Sequence, residues 1–387
     1  MKRKITILIF SMIAGLLNAG NYDSYLGNYG IENVDPRAHD NGYYLSIDVD
    51  RTGSPKIAYY DATEGSLKYA EKAGSAMPSG MAGAELQGAW LIRTVDKSKT
   101  GKFCSLKLDR NGFPNISYYD SINRALKFAR FDGSKWKLTL VDSGNVGTYS
   151  SLGLDKNGNP HVAYYDAKQG LLKYAVYDGA KWDISEVDYA RSGNSGKFAS
   201  LALGSDDRPY VSYYDESNGC LKFASCKGGD WAVETVDKMK ESRTGQFTSI
   251  AVGPSESIHI SYYDPGRAVL CYAVKKAFNW ELKTIDDETG TGMYSHIAVD
   301  SKGTPRIIYF SSIKKTVNMA ALVGLNWSRV VLDSGGVGAY CTFCLDQHDG
   351  WHAAYRDITN SSPKYATSNS TPSSEQWPFQ RIMHCVR

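Results

Sequence analysis

Two groups of residues near the C-terminal end of the chain have the types that chemistry needs. The first is His296, Ser311, Tyr340, Arg356 and Asp357. An imidazole and a carboxylate can exchange protons with a substrate, and a guanidinium can hold an anion. With a second carboxyl about 5–10 Å away, such a set would suit cleavage of a glycan. The second group is His348, Asp349 and His352. Imidazole and carboxylate both ligate transition metals, but this spacing matches no metal motif. No metal or cofactor is expected. There is no phosphate-binding glycine loop, no nucleophile elbow and no dinucleotide fingerprint.

Both groups stand where a repeat breaks, so the repeat decides where they lie. Tyr-Tyr-Asp recurs at Tyr59, Tyr118, Tyr164, Tyr213 and Tyr262, and decays to Tyr309-Phe310-Ser311 and Tyr355-Arg356-Asp357. The intervals are 59, 46, 49, 49, 47 and 46 residues, the period of one stacked supersecondary unit. A tryptophan follows each copy: Trp90, Trp136, Trp182, Trp231, Trp280, Trp327 and Trp377. In the five middle copies it comes 18 residues after the first tyrosine. In the first copy an insertion over Glu71–Ala89 delays it. A third marker, Gly-x-aromatic-x-Ser, opens five units. Gly292-Tyr294-His296 and Gly338-Tyr340-Thr342 depart from it.

Within a unit, period-2 stretches are separated by turns such as Asp155-Lys156-Asn157-Gly158-Asn159-Pro160. Glycine supplies the positive φ of a tight hairpin and proline ends it. The third unit thus predicts strands over Tyr149–Asp155, His161–Asp166, Leu171–Tyr177 and Trp182–Asp188. Four short antiparallel strands make a propeller blade, and seven blades make a ring. The expected fold is all-β, a seven-bladed β-propeller over 42–387. Either Ile31–Asp35 or Trp377–Ile382 could supply the outer strand that closes it, or both could pair there.

The pattern Ser-Leu-x-Leu-Asp-x-x-Gly-x-Pro-x-Ile-Ser-Tyr-Tyr-Asp, then Leu-Lys-Tyr-Ala and Trp-x-x-x-x-Val-Asp, resembles repeats of secreted bacterial and archaeal β-propellers. These are loosely grouped with sialidase-like propellers. The resemblance covers Gly42 to about Ile382 and implies the fold. The chain departs from the sialidases in lacking the Ser-x-Asp-x-Gly-x-x-Trp box and an arginine-triad signature.

A residue required in every copy is usually required by the copy itself. The two tyrosines should face opposite sides of the sheet, toward the two neighbouring blades, and the aspartate should cap its turn. The tryptophans, Asp96, Asp142, Asp188, Asp237 and Asp286, and the exposed-looking Lys68, Lys127, Lys173 and Lys222 read the same way. A unique site needs unlike groups in unlike roles, which only the symmetry breaks provide. Topology puts the Gly-x-aromatic loops, the Tyr-Tyr-Asp turns and His296, Ser311, Arg356 and Asp357 on one face. His348, Asp349, His352 and the insertion fall on the other.

Lys2-Arg3-Lys4 followed by apolar Ile5–Leu17 and an acceptable cleavage site at Ala19 reads as a secretory leader, 1–19, leaving no membrane anchor once removed. Its removal brings the formal charge from +3 to zero, a poor basis for nucleic-acid binding. The seven cysteines are irregularly spaced. A Cys226–Cys271 bridge between neighbouring blades is one expectation. Cys341 and Cys344 lie three apart on one strand, face opposite ways and form no metal or redox pair. The function expected is an exported, non-enzymatic binder or scaffold for a glycan or a protein partner. A glycan-acting hydrolase or lyase and a structural envelope protein are the alternatives. An enzyme should show a deep pocket with two carboxyls.

Overall fold

The computed structural model describes residues 29–73, 84–188, 193–239, 242–277 and 279–368. The expected leader and Trp377–Ile382 lie outside these. The chain forms seven antiparallel sheets around one axis, each running from an inner to an outer strand. The third blade has strands Val146–Leu154, Pro160–Asp166, Leu171–Tyr177 and Trp182–Asp188. The inner strand begins earlier than alternation suggested. Register shifts between Val146 and Ser151 let it continue through the glycine. The insertion adds a short strand, Glu85–Gln87, to the edge of the first blade.

The N-terminal segment closes the ring. Tyr29–Asn33 pairs antiparallel with Ser362–Ser368 as the outer strand of the seventh blade. Val34 and Asp35 then occupy the places of Val187 and Asp188. That position matters because of how the blades are joined. The first tyrosine of each Tyr-Tyr-Asp reaches back to the aspartate that ends the preceding blade. Tyr59 donates to Asp35 at 2.5 Å, Tyr118 to Asp96 at 2.7 Å and Tyr213 to Asp188 at 2.8 Å. Tyr164, Tyr262, Tyr309 and Tyr355 do the same to Asp142, Asp237, Asp286 and Asp333. All seven rings are buried. Burying a hydroxyl without a partner is costly, so each ring position fixes an acceptor across the junction.

A lysine of the third strand joins most of these latches. Lys222 spans Asp188 (2.8 Å) and Asp215 (2.9 Å), and Lys173 spans Asp142 (3.3 Å) and Asp166 (3.0 Å). Lys127 reaches Asp96, and Lys364 reaches Asp333. Lys68 instead holds Glu64 and Thr94. These lysines are buried or half-buried, not exposed as their strand positions suggested. Packing blade on blade covers their stems while the ammonium groups of Lys127, Lys173, Lys222 and Lys364 each bridge two carboxylates.

The expected cysteine bridge does not form. Cys226 pairs across its sheet with Trp231, near one end of the strand, whereas Cys271 pairs with Tyr262 and Thr284 toward the other. Both are free thiols.

Candidate functional site

The Gly-x-aromatic marker builds the centre of one face. Tyr44, Phe103, Tyr149, Phe198, Phe247, Tyr294 and Tyr340 form a closed collar around the axis. Neighbouring centroids are 4.5–5.0 Å apart, and the last pair, Tyr44 with Tyr340, completes the circle. Each takes φ between 50° and 55°, the left-handed region that is uncomfortable for any side chain with a Cβ. That conformation turns the ring onto its neighbour. The glycine two residues earlier crosses between blades. A Cβ on Gly196, at φ 123°, would stand 2.8 Å from Cα of Leu172.

Below the collar, the marker serine serves the free inner edge of the next blade. Ser46, Ser105, Ser151, Ser200 and Ser249 accept the backbone N–H of Leu106, Leu152, Leu201, Ile250 and Ile297 at 2.9–3.2 Å. Thr342 does so for Ile47 at 3.4 Å. Inner-edge donors that a propeller leaves unpaired are thereby satisfied.

Behind the collar sits a second tier, the second tyrosine of each Tyr-Tyr-Asp. It packs against the collar ring of its own blade, not against a neighbouring blade as expected. Tyr119 meets Phe103, Tyr165 meets Tyr149, Tyr214 meets Phe198 and Tyr263 meets Phe247, at 6.2–6.4 Å. The reason is the positive φ, which brings the aromatic of the inner strand over to this side. Lys102 and Lys197 lie over Tyr60 and Tyr165 at 5.7 and 5.9 Å. The seven collar rings and the residue after each of them line an open depression of about 200 Å³. Among the described residues, no carboxylate and no guanidinium lines it.

The five residues singled out from sequence are spread over this architecture. Tyr340 is a collar ring. Asp357 caps its turn through the Asn360 N–H (2.9 Å) and side-chain amide (2.8 Å), and Ser311 keeps the weaker equivalent contact with Lys314. Arg356 is buried. It donates to the Asn41 carbonyl at 3.0 Å and to Asp40 at 2.6 Å, with its guanidinium 4.2 Å from the centroid of Tyr43. It fastens the seventh blade to the loop that enters the first.

His296 takes a serine's place below the collar, against the Phe343 backbone. Burial, then the charge of Lys107, lowers its pKa to about 4 against an opposing backbone contact, so the ring is neutral at neutral pH. Lys107 belongs to a blade three places round the ring, which puts both side chains at the axis. Nδ1 of His296 has no partner among the described residues.

On the opposite face the second group does not converge. Asp349 binds Ser301 (2.6 Å to Oγ), and His352 bonds Tyr365 (2.7 Å) and approaches Asp346 (3.4 Å). His348 contacts Gln347 instead.

One cluster on the collared face was not legible in the repeat. The loop 36–41, between Asp35 and the first blade, carries Arg37 and His39. Nδ1 of His39 lies 2.9 Å from Asp61 and 3.7 Å from Glu64. Arg37 holds Asp35 at 2.6 Å and reaches Asp61 (3.8 Å), Glu64 (3.4 Å) and Glu85 (3.1 Å). The ligand atoms of His39, Asp61 and Glu64 are close enough for one cation. Arg37 and Lys68 already compensate those carboxylates, so the group fits an ion-pair network better than a metal site. A histidine oriented through Nδ1 by a carboxylate is also the arrangement of a general base. The sequence signal was a histidine and an arginine outside the repeat register.

No family model and no curated protein sequence matches the chain. Solved structures do. A protein of unknown function from Dyadobacter fermentans is 11% identical over 87% of this chain and 98% of its own, with a TM-score of 0.52. A polysaccharide lyase, an ulvan lyase, is 11% identical over 88% of this chain and 94% of its own, with a TM-score of 0.62. An intramolecular trans-sialidase from Ruminococcus gnavus is 13% identical over 87% and 96%, with a TM-score of 0.44. At such identities the likeness is one of fold.

Proposed function

We propose that the chain is an exported carbohydrate-binding propeller that takes a glycan on the collared face. The observation that carries this is the closed ring of seven aromatics at the floor of an open depression. Aromatic faces offer apolar area to the C–H faces of a sugar, while the tyrosine hydroxyls of the collar offer polar contacts. A hydrolase would need paired carboxyls at the mouth; among the described residues none lines the depression, and Glu216 beside it is held by Lys197 at 2.7 Å. The expected leader fits a protein that meets glycans outside the cytoplasm. Calorimetric titration with neutral and acidic oligosaccharides tests the reading. Binding that weakens at least tenfold in Phe198→Ala is expected. Undiminished binding in that variant would refute it.

A second reading, a glycan-acting enzyme, has one specific observation behind it: the His39–Asp61 pair beside Arg37 on the same face. The ulvan lyase likeness supports it at the level of fold alone. It predicts release of reducing or unsaturated ends from a polysaccharide, abolished in His39→Ala. Intact polymer after prolonged incubation would leave the binding reading standing alone.

A further inference from the structure

Six of the seven blade junctions share one packing device on the face opposite the collar. The first tryptophan of an outer strand stands edge-on to the aromatic of the preceding blade's third strand. The pairs are Tyr69–Trp136, Phe128–Trp182, Tyr174–Trp231, Phe223–Trp280, Tyr272–Trp327 and Tyr365–Trp90, with centroids 5.1–5.6 Å apart. Among the described residues, the junction of the sixth and seventh blades has neither partner. Met319 stands at the aromatic's position, and Tyr29 at the tryptophan's. Tyr29 turns instead to Trp351, 6.0 Å away.

The missing rings leave space. Grooves at the first–second and third–fourth junctions measure about 390 and 440 Å³, whereas the seam groove measures about 670 Å³. The smaller grooves also mix charged and apolar walls: Lys56, Glu71 and Arg93 beside Phe113 and Phe131 in one, Asp183, Asp206 and Arg208 beside Val176 and Trp231 in the other. The seam groove has apolar walls from Met319, Val323, Val330 and Trp351. Its polar end carries both signs, Asp300 and Asp349 against Lys302 and Arg306. Arg306 is fixed there by Asp300 (3.3 Å) and the Asp349 carbonyl (3.0 Å). A cleft of this size that joins an apolar wall to a set of placed polar groups is a common form of small-ligand site.

We propose that the seam groove binds an aromatic amino acid side chain from outside the chain, supplied free or on a peptide. The ring takes the place that tryptophan and its aromatic partner fill at the other six junctions. The two-signed end receives the ammonium and carboxylate, or the peptide groups that replace them. The site is separate from the collared face, so its failure and the failure of the glycan reading are distinguishable.

The test is calorimetric titration of the full chain with L-tryptophan, with N-acetyl-L-tryptophanamide and with L-leucine. Saturable binding of a tryptophan compound, roughly millimolar or tighter, and none of leucine is expected. A stronger response to free tryptophan identifies the free amino acid as ligand, and an equal response identifies a peptide residue. Met319→Trp should fill the groove and weaken binding at least tenfold while leaving glycan binding intact. Ala321→Trp is the second variant should Met319→Trp fail to fold. No binding of either tryptophan compound would overturn the proposal, as would binding that survives both variants. Ser368 lines the groove, so the titration is repeated on the chain ended there. Binding seen only in that shortened chain would also overturn it, because the chain's own C-terminal residues would then be the occupant.

Discussion

The collared face and the seam groove come from the same seven repeats and differ in what repetition leaves over. On the collared face every blade contributes one collar ring, and the second tier of rings packs behind it. The aspartates below cap turns or anchor latches, as Asp215 does for Asn218 and Asp188 for Tyr213. On the other face the device that seals six junctions fails at the seventh, where one strand comes from the opposite end of the chain. Repetition commits side chains to holding blades together and exposes only what is left around the axis. A break in repetition frees volume without supplying a catalytic set. The binding surfaces are therefore an average of seven blades in one place and the defect of one junction in the other.

The largest expected effect concerns the latches that both faces depend on. Asp35 is fully buried against Arg37 and Tyr59. Asp35→Ala leaves the buried Tyr59 hydroxyl without its acceptor and Arg37 without its shortest ion pair, and should cost about 3–5 kcal/mol, read as a fall in the denaturation midpoint. Asp188→Ala, at a junction with more solvent, should cost less. Equal losses would mean that the closing junction is no more dependent on its latch than the rest.

Arg356 comes next. Removing it leaves the Asn41 carbonyl without its donor and Asp40 with the Tyr43 hydroxyl alone, at about 2 kcal/mol. Stability should fall while the folded protein keeps its glycan affinity. Affinity lost at unchanged stability would move Arg356 from fastening the blades to touching the ligand.

The latches also differ in their titration. Burial works to raise the pKa of Asp188, and hydrogen bonds from Lys222, Ser195 and Tyr213 override it, so the pKa is lowered. At Asp237 burial wins and the pKa is raised, with Tyr262 opposing. There Cys271 stands in the lysine's place. A lowered folded pKa gives stability that is present above the unfolded value, about 3.9, and lost as pH falls through the folded one. A raised pKa does the reverse, and its contribution is lost as pH rises through the folded value. Cys271→Lys should therefore stabilise the protein at pH 7 by about 1 kcal/mol and by less at pH 4. The opposite pH order would contradict this account of the latch.

The smallest effect probes the collar backbone. Phe198→Ala and Phe198→Gly both remove the ring, but only glycine is at ease at positive φ. The glycine variant should be more stable than the alanine variant by about 1 kcal/mol. Equal stabilities would mean that the collar residues are unstrained.

Much of this ring was legible in the sequence. Period and turn chemistry fixed Leu171–Tyr177 and Trp182–Asp188 to the residue, because a half-buried strand needs both alternation and hairpin punctuation. Closure was not legible, since Ile31–Asp35 and Trp377–Ile382 both read as outer strands. What separates them is the aspartate after the strand, present as Asp35 but replaced by Met383 in the other segment, and its latch role appears only with the tyrosine in place. The collar was visible as a marker but not as a ring. Alternation assumes extended backbone, and positive φ at Tyr44 or Phe198 breaks it. His39 was hidden because loop 36–41 has no repeat to be compared with.

The most direct measurement is a glycan array probed with the protein from residue 20 onward, beside Phe198→Gly/Phe247→Gly and Met319→Trp variants. The account predicts selective glycan binding by the unaltered protein, lost at least tenfold when the two collar rings are removed and retained when the seam groove is filled. Folded protein that binds no glycan, or binding indifferent to the collar, would contradict it.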